Sequence, residues 1–462
     1  MTIWAPQLTD GVPQYLAIVN ALARDVASGE LPQGTQLPPQ RDLARALAVS
    51  LGTVTRAYTL AEKRGLVRGE VGRGTFVGSA QAHGLPIGDT GCVVGGGINL
   101  GMTWPLEVEN PDLAPALRQL VRRKDLSDLL QYQPNAGMAH HRAAGATWLA
   151  WHGLEVAPGR VLICGGAQHA MTVALAALVQ PGETLLAEEL TYPGVRAVAD
   201  FLRLKVTGIR VDRDGLVPEA FDAACRAKRA KVLYSVPSIH NPTATTLAEE
   251  RRRAIAEIAR RHDVWIIEDA IHHLLLDDPP PPLARFAPER TLCIASPSKV
   301  VAGGLRVAYL AAPESALEKL IHGIWATNWL VAPLNAEILS IWIEDGTAAT
   351  TIARKKTEAA ARVAMLREAL RDHDVVTADT GYHAWLTLPR AWGNAVRFVE
   401  EARRQGVMVT PAETFHVGSG APPCAVRVSL SASPTRETLR RGLERLSATL
   451  AGEPSRVGPA VV

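Results

Sequence analysis

Cysteine is scarce. The 462 residues hold five, at 92, 164, 225, 293 and 424, tens of residues apart, with no CxxC pair and no histidine at ligand spacing. That pattern excludes a disulfide scaffold and a zinc-finger site, so the thiols are read as reduced and no metal is expected. Cys164 and Cys293 fall in strand-like runs, where a small apolar side chain suffices. Long hydrophobic runs are missing too: stretches such as 173–179 stop far short of the ~20 residues a membrane helix needs. The N-terminus carries no basic-then-apolar leader, so no membrane partner and a cytoplasmic location are expected. Charge of one sign is also lacking. The net +3 is too small to announce a nucleic-acid partner through the global field, and DNA binding has to be argued from a local motif. No repeat or low-complexity tract stands out, and Pro279 to Pro282 is a stiff loop. With 47% hydrophobic residues and a mean hydropathy near zero, the chain is too long for one ordinary core and too polar for a bilayer. Two or more domains follow.

Within residues 13–28, Leu16, Val19, Ala23 and Val26 recur three or four apart, the spacing of one helix face, and Gly29 ends the pattern. A short helix over Gln40–Leu47, the break Ala48-Val49-Ser50 and a second helix over Leu51–Arg64 form a helix-turn-helix. Gly65 closes it, and strands at Leu66–Arg68 and Thr75–Val77, joined by residues 69–74, read as a wing. Leu43, Leu47, Val54 and Leu60 are assigned to the core of this module. Residues 79–97 then turn to Gly, Ala, Pro and small polar residues, the composition of a linker. Beyond it, apolar runs at Val161–Cys164, Thr184–Ala187, Lys231–Val236, Val264–Glu268, Thr291–Ala295 and Leu305–Leu310 alternate with amphipathic helical stretches. This alternation argues for an α/β domain built on a mostly parallel sheet with helices on both faces.

The second helix of a helix-turn-helix enters a major groove by its N-terminal end while the first crosses the backbone. Arg41, Gly52, Thr53 and Arg56 are therefore candidate DNA contacts, and Arg73 in the wing can reach a phosphate or a minor groove. Over residues 9–78 the elements Leu31-Pro32-Gln33-Gly34-Thr35-Gln36-Leu37-Pro38, Gln40-Arg41-Asp42-Leu43-Ala44, Val49-Ser50, Thr53-Val54, Ala57-Tyr58 and Gly72-Arg73-Gly74-Thr75-Phe76-Val77 resemble the GntR family of winged helix-turn-helix regulators. The resemblance implies binding to double-stranded DNA as a head-to-tail homodimer. Where that family often has Arg after the Val-Ser pair, this chain has Leu51.

Several positions downstream carry chemistry. The strand Val161–Cys164 runs through Gly165-Gly166 into a helix beginning Ala167-Gln168-His169, and the amides and dipole at such a start hold a phosphate. Lys299 stands at the end of the Thr291–Ala295 strand, where open parallel sheets bind ligands. A pocket lined by a second cation, here Arg306, lowers the pKa of its amine and makes it a nucleophile. Asp269 ends another strand, and a carboxylate there can hold a pyridine nitrogen protonated. Glu268 competes for the role, but alternation along a strand sends the two side chains to opposite faces. Arg427, in Ala425-Val426-Arg427-Val428-Ser429, lies among apolar neighbours and needs an anionic partner if buried: a ligand carboxylate, or an Asp or Glu of the chain.

Together, residues 98–450 resemble fold type I aminotransferases, with a seven-stranded sheet and a smaller C-terminal α+β subdomain from about 330 to 450. Their fusion to a GntR head defines the MocR subfamily. The resemblance implies pyridoxal 5'-phosphate (PLP) as a Schiff base on Lys299, with Asp269 on the pyridine nitrogen. It further implies Asn241 on the phenolic oxygen, Tyr192 stacked on the ring, and Gly166, Ala167, Gln168, Ser296, Ser298 and Arg306 around the phosphate. Tyr132 is placed at a neighbouring subunit's phosphate, and Arg427 on a substrate or effector carboxylate. Two positions depart: His272 replaces the usual Tyr, and Ala244 replaces Gly. The histidine is expected to donate to the phenolic oxygen and to titrate near neutrality. A transaminase needs no DNA-binding head, whereas a sensor does, so the fusion favours a PLP-dependent transcription regulator of an amine or amino-acid-like effector, or of PLP itself. The alternative is an active aminotransferase with an N-terminal DNA-binding extension.

Overall fold

The computed structural model describes Trp4, Pro6, residues 13–27, Leu31, residues 35–63, 66–70, 74–77, 97–228 and 230–452. The chain divides into two compact units, residues 1–90 and 91–462. No helix among the described residues is long and apolar enough to cross a membrane.

The first unit holds α1 (Gln14–Ala27), α2 (Gln40–Ala46) and α3 (Leu51–Lys63), followed by β1 (Val67–Glu70) and β2 (Gly74–Val77), which pair antiparallel. α3 starts where Ser50 Oγ accepts the Thr53 amide at 3.1 Å, a side-chain cap that fixes the turn of the helix-turn-helix. Ile18, Val19, Leu22, Leu43, Val54, Ala57 and Tyr58 form its core, with Leu47 and Leu60 packed on the margin. The centre of the wing, residues 71–73, and the expected linker over 79–97, apart from Gly97, lie outside the described residues.

The second unit is built on a seven-stranded sheet in the order 161–164, 308–311, 291–295, 265–269, 232–235, 184–188, 205–209. Ala308–Ala311 pairs antiparallel with the strands on both its sides, and every other pairing in this sheet is parallel. Six of these strands coincide with the apolar runs; Lys205–Ile209 escapes that reading because it is an edge strand, half-buried and polar at its start. Buried residues form a cluster on each side of the sheet, as expected when helices cover both faces. A second sheet, ordered 375–377, 383–387, 425–429, 410–411, is antiparallel. Its register puts His383 opposite Ser429, and Trp385 and Thr410 opposite Arg427. The alternate positions Ala384, Leu386, Val426 and Val428 fill a core of their own, so one face is apolar and the other carries the polar residues.

Candidate functional site

The ends of the parallel strands meet the polar face of the second sheet, and most of the expected residues converge there. Gly166 caps the helix Ala167–Leu178 with φ +92° and ψ 168°, a conformation essentially restricted to glycine. The Gly165 amide is spent on His169 Nδ1 at 2.9 Å and the Gly166 amide on the Cys164 carbonyl at 2.8 Å. Neither glycine can therefore act as the amide donor expected from the sequence. The free donors are the first amides of the helix itself, Ala167 and Gln168, which have no intrahelical partner. What Gly166 supplies is space: a Cβ there would lie 2.4 Å from Arg306 Nη2, so the guanidinium rests on the turn. Ser296 Oγ lies 3.0 Å from Ser298 Oγ on the same side.

Asp269 and Glu268 separate as alternation requires. Glu268 accepts the Leu283 and Ala284 amides, each at 2.9 Å, with Arg252 3.8 Å away, and is a structural carboxylate. Asp269 faces the site, where the Tyr234 hydroxyl donates to it at 2.7 Å and the Ile271 amide at 3.2 Å. Burial pushes its carboxyl up, against Tyr234, the amide and Lys299. A buried acid in that position favours a cationic partner.

Lys299 Nζ donates to the Thr103 carbonyl at 2.5 Å. Its amine is pushed down to about 8, first by burial and then by Arg427, with Arg306 a smaller contributor. The cation expected to depress it was Arg306; Arg427 is the stronger. Tyr192 reaches Gln168 Oε1 at 3.3 Å, and its ring lies where a Cβ on Gly194 would stand, 2.2 Å from Cε1.

Arg427 is 6% exposed and pairs with no Asp or Glu among the described residues. It donates to Asn241 Oδ1 at 2.7 Å and to the Gly101 carbonyl at 2.6 Å, and its guanidinium lies 4.7 Å from the Phe415 ring centre. Burial pulls it down to about 10. With Oδ1 turned toward Arg427, the Asn241 side chain has its Nδ2 amide left to donate to another group.

His272 differs from the sequence expectation. Its Nδ1 lies 3.1 Å from the Ile239 carbonyl and its Nε2 is buried without a partner. Burial, then the charge of Lys299, pushes the ring down to about 3. It stays neutral across the physiological range, and the expected titration near neutrality does not occur. Ala244, in place of Gly, is buried at φ +60°, a left-handed conformation that strains a residue with a Cβ. Tyr132 is 84% exposed, with its ring centre 5.6 Å from that of Trp329; it is not a packed aromatic of its own chain. Tyr234, Gly101, Thr103, His383 and Phe415 were missed by sequence reasoning. Gly101 is 326 residues from Arg427, and no local pattern links them.

In the first unit Arg41, Gly52 and Arg56 are exposed and Thr53 is half-buried, its Oγ1 2.8 Å from Ser50 Oγ. The Arg56 guanidinium sits 4.0 Å over the Tyr15 ring. Arg73 lies outside the described residues.

Residues 97–446 match the model of the aminotransferase class I and II family, and residues 14–77 that of bacterial regulatory proteins of the gntR family. The chain is 33% identical over 442 residues to the uncharacterized HTH-type transcriptional regulator YdeF of Bacillus subtilis, covering 95% of each. The chain belongs to the MocR group of GntR regulators. Another relative is the vitamin B6 salvage pathway transcriptional repressor PtsJ of Salmonella typhimurium, 26% identical, covering 90% of this chain and 93% of that one. A multiple substrate aminotransferase from Thermococcus profundus superposes with a TM-score of 0.71 at 22% identity, over 77% of this chain and 92% of that one, which establishes the fold. This MocR protein is thus a PLP-dependent, DNA-binding transcription regulator. The residues fit the cofactor: a turn with no room for a Cβ beneath Arg306, a buried acid and an amine depressed to about 8.

Proposed function

We propose that PLP is held on Lys299 and that the regulator senses an amine or amino-acid-like effector, or PLP itself, in the same pocket. When bound, the group supplies an electrophilic carbon for an amine and a ring that withdraws electrons. Arg306, Ser296, Ser298 and the Ala167 and Gln168 amides hold the phosphate, with Gly166 giving room. Asp269, kept in place by Tyr234, pairs with the ring nitrogen; Tyr192 lies against the ring and Asn241 donates to its oxygen. Arg427 holds the effector carboxylate. The observation that carries this reading is Arg427 itself, a buried guanidinium bonded only to neutral oxygens beside a buried amine. Such a cation is expensive unless an anion completes it.

Residues 9–78 form the DNA-binding domain, 79–97 the linker and 98–450 the sensing domain. Arg41, Gly52, Thr53, Arg56 and Arg73 contact DNA, and Leu51 alters the base preference that an Arg there would give. The working unit is a cytoplasmic homodimer, head-to-tail, with Tyr132 of one subunit reaching the phosphate of the other; its exposure supports this. Effector binding shifts the dimer between two DNA-binding states. The test is the visible absorbance of the PLP-loaded protein. Lys299→Ala abolishes the band and the borohydride-reducible adduct, and reduction that maps to another lysine overturns the anchor. Arg427→Ala loses the response to amino acids and keeps that to simple amines; equal responses from mutant and wild type make Arg427 scaffold.

A further inference from the structure

Away from the residues of the cofactor pocket, two helices bring three ligating atoms to one point. His140 and His141 lie in the first turn of the helix Ala139–Trp151, and Glu337 stands on the helix Pro333–Glu344. His140 Nε2 lies 2.6 Å and His141 Nε2 2.8 Å from the same oxygen, Glu337 Oε2. The two ring centres are 4.1 Å apart and their planes are tilted by 57°, so the nitrogens approach that oxygen from different directions. The His141 and Glu337 side chains are 3% and 4% exposed, and that of His140 is 42% exposed.

The cysteines and the local histidine spacing gave no reason to expect a metal. Neighbouring residues on one helix project about 100° apart, and Glu337 is 196 residues from His141. Only the packing of the two helices assembles this set.

The charge balance leaves room for a cation. Arg123 Nη1 is bonded to Glu337 Oε1, the other carboxylate oxygen, and the same guanidinium holds Asp125 through Nε at 2.9 Å and Nη2 at 2.6 Å. One guanidinium between two carboxylates leaves one negative charge in excess, and neutral imidazoles add nothing to it. A buried carboxylate in that state calls for a further positive charge. A proton taken up by a ring supplies it as imidazolium. A divalent ion supplies it with both rings neutral, the proton of each on Nδ1 and Nε2 bare.

Two imidazole nitrogens and one carboxylate oxygen are the protein ligands of an open zinc site, whose fourth position is left to water. Bonds of about 2.0–2.2 Å to a tetrahedral ion put its ligand atoms roughly 3.4 Å apart, so seating the ion opens the two contacts by about 0.7 Å. The half-exposed His140 ring can yield that distance. Arg123 stays on Oε1, where such a donor orients a ligating carboxylate.

We infer that His140, His141 and Glu337 bind a zinc-class divalent cation that clamps the two helices together. His140 gives the ion its route from solvent.

The test uses the full-length protein without PLP, stripped with a chelator, then titrated with Zn²⁺ by calorimetry and with Co²⁺ by visible absorbance. Wild type takes up one ion per chain, Co²⁺ shows the d–d bands of a four- or five-coordinate ion, and Zn²⁺ raises the melting temperature until chelator reverses it. His140→Ala and His141→Ala each weaken Zn²⁺ by at least about tenfold, since loss of an outer-shell partner alone costs that much. His322→Ala, at an exposed histidine on another helix, leaves the affinity unchanged. A hydrogen-bonded ion-pair network without a metal gives variants that melt lower in chelator, in a protein that shows no saturable uptake of Zn²⁺. That result overturns the inference, as does uptake that survives both histidine substitutions. If His141→Ala does not fold, His140→Ala, at the exposed ligand, decides it.

Discussion

Gly166→Ala changes one methyl group and tests the phosphate cradle directly. At φ +92° and ψ 168° an alanine pays about 1–3 kcal/mol of backbone strain. Its Cβ would also stand 2.4 Å from Arg306 Nη2 and 2.9 Å from Cζ. Non-bonded contacts settle near ~3.5 Å, so the guanidinium must retreat by about 1 Å. A hydrogen bond to a charged group is worth roughly 1.5–3 kcal/mol, and losing one such contact to the phosphate weakens PLP about ten- to a hundred-fold. The assay is an equilibrium titration with PLP followed by visible absorbance, beside thermal melting of the apo-protein. Gly165→Ala is the control: its Cβ meets Asn328 Nδ2 at 3.3 Å, which a side chain can yield, and its φ is not positive. In an Arg306→Ala background the overlap vanishes, so Gly166→Ala there costs only its strain. If Gly166→Ala binds PLP within about twofold of wild type, a difference of ~0.4 kcal/mol, the phosphate does not sit under Arg306 and the cradle is misplaced.

Acid should destabilise the sensing domain in two windows. Burial pushes His152 and His240 down to about 4, so the unfolded chain takes up protons first. Their stability contribution is complete above about pH 6.5 and is lost as pH falls from there through 4. The melting temperature declines over that range, and His152→Gln flattens the decline; an unchanged slope refutes this assignment. Glu337 is buried, yet against that burial the His141 and His140 hydrogen bonds hold its carboxyl down to about 2, and its contribution is lost between pH 4.5 and about 2. At neutral pH Glu337→Gln costs on the order of 2 kcal/mol in denaturant unfolding. This is below the range for a fully buried pair, because Arg123 is partly exposed and keeps Asp125. In the head, Arg41→Ala lowers the salt slope of DNA binding by about one counterion if the side chain meets a phosphate. An unchanged slope and affinity removes it from the interface.

Much of this protein was written in local pattern. The helix-turn-helix is legible because its helices are short, α3 starts from the Ser50 cap, and each buries one face. Six of seven strands show as apolar runs because both faces of a parallel sheet are covered; the edge strand Lys205–Ile209 does not, since one side meets little. The division of labour between Glu268 and Asp269 follows from a two-residue period alone, and the Lys299 position follows from its place at a strand end. What the sequence could not decide is what each polar atom touches. The Gly165 and Gly166 amides are consumed by neighbours, so the glycine turn contributes room rather than hydrogen bonds. His272 became a fixed neutral acceptor because a carbonyl 33 residues away claims its Nδ1 and burial removes its charge. Arg427 has neutral partners because Gly101 and Asn241, 326 and 186 residues distant, arrive beside it. Secondary structure depends on neighbours in sequence, whereas protonation and hydrogen-bond sense depend on neighbours in space, and only the folded chain sets those.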